Sequence, residues 1–210
     1  MDVEQHWRTI IDQRRALAAL LAELTPAELD APSLCAGWRV RDVAAHVALA
    51  PRPPGPLAML REAARARGSF HRLNHDIAVR YADTVADLAA DLARVADSRR
   101  LPVVTNYRNI HYDVIVHAQD IARPLARVLA VDPEDAAVAA TRVWSMGWPF
   151  WARRNFGRVH LVADDSAFTA GVGPEVHGTT LDLLLLLTGR SGILPLLRGE
   201  GLSLLEPVSR

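Results

Sequence analysis

The stretch HYDVIVHAQD, His111–Asp120, sets two histidines and two aspartates among valines and isoleucines. On a helix turning about 100° per residue, with Asp113 at zero, Val114, Ile121 and Leu125 fall at about 80–120°. His117 falls at about 40°, inside that apolar sector, and Asp120 borders it near −20°. Asp113 and His117 are spaced (i, i+4), so they stack one turn apart on a common face. His111, at about 160°, points elsewhere. A second stretch, VRDVAAHVALA, repeats the pattern, because His46 edges the stripe formed by Val43, Val47 and Ala50. One helix offering a His and another offering Asp-x-x-x-His is a known way to build a metal site in a bundle core. Two imidazoles and one carboxylate suit Zn²⁺ or another divalent transition metal and leave a position open, as catalytic sites do. Two plainer readings fit the same residues: His46 as a hydrogen-bonded core histidine, and an Asp113–His117 hydrogen bond without metal. Asp120, one turn beyond His117, is a candidate for orienting an imidazole.

The remaining reactive side chains carry less. His71 and His75 are also (i, i+4), but Asn74 between them reads as a helix cap, which would keep them from stacking. His6, His160 and His177 stand alone. Cys35 is the single cysteine, which excludes an intramolecular disulfide and a cysteine zinc cage. Nothing adjacent would activate it, so it reads as a small buried residue. Trp144, Trp148 and Trp151 follow helical spacing and are expected to be core or pocket wall. All 24 basic residues are arginines, which excludes Schiff-base chemistry and a P-loop lysine.

Elements must position these groups. Helical patterns cover about Glu4–Leu24, Val40–Ala50, Leu57–Arg67 (stopped by Gly68), His75–Ala96 (capped by Asn74) and Ile110–Arg123. Another starts after VDPEDAA, with Asp132 as cap and Pro133 in the first turn. PRPPGP stops the second helix, SRRLPVV reads as a linker, and Pro51 to Arg72 is expected to wall the site. GRVHLVADDSAFTAGVG alternates like a hairpin, TTLDLLLLLTGR reads as a buried helix with Gly189 after its end, and GLSLLEP as a last short strand. The chain therefore reads as a helical bundle over residues 1–153 followed by a small α/β domain, 154–210. A net charge of zero argues against nucleic acid or an anionic membrane as partner. No signal peptide or membrane-spanning run is evident, so a cytoplasmic protein is expected.

Three motifs resemble one family. LCAGWRVRDVAAHVA, DVIVHAQDIARPL and GPEVHGTTLDLLLLLTGR, in this order between Leu34 and Arg190, resemble the signatures of the mycothiol-dependent maleylpyruvate isomerase family, a branch of the DinB-like metalloproteins. The resemblance implies a mainly α fold, a DinB-like four-helix bundle followed by a small C-terminal α/β region. It implies a divalent metal, most often zinc, on His46, Asp113 and His117, and it carries Arg190 over as a residue linked to activity. Mycothiol would be the thiol cosubstrate, held on the metal as thiolate, for S-transfer to or isomerisation of a small electrophilic substrate. The partners implied are therefore small molecules, with the protein a monomer or homodimer. Two departures stand out. Asp113 replaces the Glu of the isomerase, one methylene longer, and Arg39 replaces the Ser or Thr that caps the helix carrying His46. A non-catalytic DinB-like binding protein and a metallohydrolase using metal-bound water are the alternative readings.

Overall fold

The computed structural model describes residues 1–52, 55–102 and 105–205. It divides into two compact units, one of Asp2–Leu129 and one beginning at Ala130, which also takes Met1.

Among the described residues, the first unit holds seven α-helices: α1 (Val3–Ala22), α2 (Pro26–Asp30), α3 (Val40–Leu49), α4 (Pro56–Arg65), α5 (Phe70–Ala82), α6 (Leu88–Val95) and α7 (Tyr107–Ala122). Helix α1 packs on α6 and α7, and α3 packs on the same two, which closes a four-helix bundle; α5 lies against α3. The core is aliphatic, with Ile10, Leu17, Val43, Leu92, Ile115 and Ile121 fully or almost fully buried. On α3 that inner face is Val40, Val43, Ala44, Ala45, Val47 and Ala48. Such short side chains let its backbone approach its neighbours closely.

Caps explain where these helices begin. Asp2 and Gln5 form a reciprocal capping box on α1, and Thr25 and Glu28 do the same on the five-residue helix α2. Helix α5 starts at Phe70, with the Ser69 hydroxyl accepting from the Arg72 N–H. Asn74 is thus an interior residue of α5 rather than its cap. The single helix expected over 75–96 is two, because Asp87 caps α6 separately by accepting from the Ala90 N–H. Pro51 to Arg72 is accordingly mostly α4 and the first turn of α5, with residues 53 and 54 outside the described residues, as are 103 and 104 of the expected linker.

Arg39 stands where the His46 helix would otherwise carry a hydroxyl cap, and α3 is held by the other half of the box. The buried Asp42 carboxylate accepts from the Arg39 backbone N–H at 2.9 Å and from its guanidinium at 2.8 and 3.0 Å. Replacing Asp42 with Ala should therefore destabilise the protein by about 1–2 kcal/mol, read as a shifted unfolding midpoint in denaturant. An unchanged midpoint would show that this cap does not hold α3.

The second unit contains α8 (Pro133–Ser145), α9 (Ala152–Phe156), strands β1 (His160–Ala163), β2 (Thr169–Ala170) and β3 (Glu175–Gly178), α10 (Thr180–Leu187) and two 3₁₀ turns, Ser191–Leu196 and Glu200–Leu204. The expected hairpin is β1–β2, antiparallel, with Leu161 opposite Ala170. Strand β3 adds in parallel on the other edge of β1, giving the order β2-β1-β3. GLSLLEP, read as a strand, is a 3₁₀ turn through Leu204, with Glu206 and Pro207 outside the described residues. Gly171 must be glycine, since φ is +83° and a Cβ would lie 2.1 Å from the Val159 carbonyl oxygen. Gly189 ends α10 in the same left-handed region, while Arg190 donates its N–H back to Leu185. Helix α8 packs on α10, so it falls in this unit. The compact units divide after Leu129, where the helical pattern alone had suggested 153.

Candidate metal centre

Asn106 caps α7, and the helix then runs unbroken past Asp113, His117 and Asp120. Its buried apolar residues include Ile110, Val114, Ile115, Ala118 and Ile121, while Asp113 and His117 are half-buried and Asp120 is fully buried. Helix α3 brings His46 to the same place. The ligand atoms of His46, Asp113 and His117 lie within 4.8 Å of one another. His46 Nε2 is 3.7 Å from one Asp113 oxygen and His117 Nε2 is 3.5 Å from the other. Both separations exceed a normal N–H···O hydrogen bond. They are close to the roughly 3.3 Å expected between two ligands of one tetrahedral metal with bonds near 2.0–2.1 Å. The donor set and its spacing are those of a group that could hold a divalent metal.

Asp120 supports this arrangement from behind. Its fully buried carboxylate lies 2.9 Å from His117 Nδ1. A carboxylate only accepts, so Nδ1 carries the proton and Nε2 turns toward Asp113. The Asp120 main-chain carbonyl accepts the Leu34 N–H, which pins the loop before α3 onto α7. Trp38, at the end of that loop, meets His46 edge-on with ring centroids 5.8 Å apart and meets His75 likewise at 5.3 Å. It forms a half-buried wall beside the triad.

The charges reinforce one another. Burial works against both partners, yet the neighbouring imidazoles of His117 and His46 hold Asp113 well below the usual carboxylate range. Burial also opposes charging His117, but Asp113 and Asp120 outweigh it and raise its pKa to about 9. At neutral pH the metal-free site thus holds a proton on His117 that a metal must displace. Loading at pH 7 should release about one proton, and apparent metal affinity should rise about tenfold per pH unit until about pH 9. Calorimetry in buffers of different protonation enthalpy reads this directly, and metal uptake at pH 7 without proton release would contradict it.

Other sequence candidates fall elsewhere. Arg190 belongs to the second unit, where its guanidinium donates to the Thr188 carbonyl. Cys35 is half-buried in the loop before α3 rather than a core residue. His71 and His75 share α5, with His71 exposed and His75 half-buried beside Trp38. Trp148 and Trp151 are exposed, because α8 stops at Ser145 and their helical spacing is not continuous in the fold. His177 bonds Glu175 at 2.8 Å, and His160 approaches that carboxylate from β1, so neither stands alone. Nor do His6 and His111, whose Nδ1 atoms lie 3.2 Å apart in the buried α1–α7 interface. Burial first, and then His111, depress His6 to about 4. No local signal joins residues 105 positions apart in the chain.

The family profile described as Mycothiol maleylpyruvate isomerase N-terminal domain matches residues 11–122. All three candidate ligands and Asp120 lie inside that span; Arg190 lies outside it. Two solved structures share the fold with a TM-score of 0.59, over 95% of this chain and 93% of theirs. They are the mycothiol-dependent maleylpyruvate isomerase, 18% identical, and a histidine-to-alanine mutant of the mycothiol-dependent maleylpyruvate isomerase, 17% identical. No curated protein matches the chain. The fold is thus mainly α and DinB-like, with a C-terminal α/β region.

Proposed function

The chain belongs to the mycothiol maleylpyruvate isomerase N-terminal domain family, and from that premise we propose that it is a metal- and mycothiol-dependent enzyme acting on a small electrophilic substrate, by S-transfer or by isomerisation. The observation that carries this reading is the triad of His46, Asp113 and His117, with ligand atoms within 4.8 Å of one another and with Asp120 fixing the His117 tautomer. Zinc is the metal that two imidazoles and one carboxylate with an open position suit best. When bound, it supplies the Lewis acidity that keeps a thiol deprotonated at neutral pH.

The chain's own residues do the rest. Asp120 holds the Nδ1 proton, so once the imidazole of His117 gives up its other proton, Nε2 is the nitrogen presented to the metal. Asp113 supplies the one negative charge of the ligand set, on a side chain one methylene shorter than the Glu of the isomerase. Trp38 packs edge-on against the His46 ring and limits its freedom. A guanidinium such as that of Arg190 is suited by its two parallel donors to recognising a carboxylate.

Metal analysis combined with a mycothiol titration tests this reading. About one equivalent of zinc or a similar metal per chain is expected, with mycothiol binding to the loaded protein and glutathione binding more weakly. Protein that neither contains nor takes up metal would overturn it. Turnover that needs no added thiol would point to a hydrolase, and binding without turnover to a ligand-holding relative.

A further inference from the structure

Arg14 occupies the core stripe of α1, four residues after Ile10 and three before Leu17, and all three are fully buried. One guanidinium nitrogen, Nη1, donates to the Ser98 carbonyl at 2.9 Å. Nε and Nη2 are buried and have no hydrogen-bond partner among the described residues. An arginine in such a place keeps its charge, and a buried charge without a counter-ion is costly. The ionised group that favours this charge is Asp113, on the helix against which α1 packs. Burial pulls the guanidinium down to about 10, and Asp113 acts in the opposite sense.

Charge counting gives this arrangement a purpose. A divalent cation with two neutral imidazoles, Asp113 and Asp120 sums to zero. Arg14 raises the buried total to one positive charge, and a single anionic ligand returns it to zero. In a low-dielectric interior the neutral total is the favoured one.

We propose that Arg14 is a positioning residue of the metal centre, a buried guanidinium that makes the loaded site prefer an anionic ligand, so that an entering thiol binds as thiolate and gives its proton to solvent. This rests on the metal- and thiol-dependent reading above, and it adds a residue that no motif contains.

The test loads wild type, Arg14→Met and Arg14→Gln with cobalt(II) and titrates 2-mercaptoethanol across pH, following the sulfur-to-cobalt charge-transfer band. Gln retains a donor for the Ser98 carbonyl but not the charge. Both variants should bind one metal, with the pH midpoint of the band raised by about one unit and thiol binding about tenfold weaker below it. Variants that bind metal and keep the wild-type midpoint would overturn the proposal and leave Arg14 as an anchor between α1 and Ser98. A midpoint shifted in Met but not in Gln would say the same. Should neither variant fold, the ¹⁵N signal of Arg14 Nε in wild type decides. It must move when zinc is added and again with the thiol, and a signal indifferent to both overturns the proposal. Wild type that binds no metal sinks this inference together with the function it rests on. Wild type that binds metal and thiol, with unmoved variants, sinks this inference alone.

Discussion

Replacing His46 with Ala should leave purified protein essentially free of divalent metal, and His117→Ala should do the same. Each substitution removes one of two imidazole donors from a set of three protein ligands, and no other imidazole or thiol among the described residues completes that set. Loss of a supporting partner alone weakens metal affinity by about 10–100-fold, so loss of a ligand should exceed that range. Metal content by elemental analysis reads the effect, and a variant that retains one equivalent would show that the triad is not the site. The two substitutions differ in their effect on the metal-free protein. His46 lies 3.7 Å from an Asp113 carboxylate that keeps some solvent exposure, so His46→Ala strips no fully buried charge and should fold as wild type does. His117→Ala leaves the fully buried Asp120 carboxylate without the imidazole it faces. Removing one hydrogen-bond donor from a buried acceptor costs about 1–3 kcal/mol, more when it is charged. His117→Ala should therefore melt lower than His46→Ala when both lack metal.

The second large effect is expected at Asp120, which touches no metal. Asp120→Ala should weaken metal binding by about 10–100-fold while leaving the three ligands in place. Two causes combine. The Nδ1 proton is no longer held, so Nε2 is the free donor for only part of the time. The metal also loses a nearby negative charge, the same charge that contributes to raising the His117 pKa to about 9; the lower pKa eases proton competition and offsets only part of that loss. The second cause predicts a companion change, since proton release on metal uptake at pH 7 should fall well below one. Asp120→Asn separates the two, because its amide oxygen can still accept from Nδ1 without the charge. That variant should recover most of the metal affinity and little of the proton release. Full affinity in Asp120→Ala would show that the imidazole is oriented by its packing alone. The main-chain hydrogen bond from Leu34 to residue 120 is unaffected by any of these changes.

The helices that carry the site were legible from their patterns, because their signals are local. Residues 110–123 show an apolar face at helical spacing, and α7 runs from 107 to 122. Val40–Ala50 became α3, ending at Leu49. Boundaries failed where two local signals competed. Asn74 is a good cap in isolation, but Ser69 caps first, and a residue already inside a helix has no exposed N–H to serve. The break between α5 and α6 was missed because alanine, leucine and valine continue at helical spacing through it, whereas the deciding group is the Asp87 side chain. Strand β3 escaped because a parallel partner is joined through other chain, not through a tight turn.

The same division runs through the site. Asp113, His117 and Asp120 were joined by the sequence itself, since spacings of four and three residues on one helix stack side chains whatever surrounds them. Whether a metal or a hydrogen bond links the first two remained open at that level. Tertiary structure alone supplied the separations of 3.5 and 3.7 Å, since α3 must pack on α7 to bring His46 within reach. It also paired His6 with His111 and set Arg14 in the interior under the influence of Asp113. Those residues lie on different helices, and their meeting follows from which helix faces bury together, a property of the closed bundle and of no segment within it.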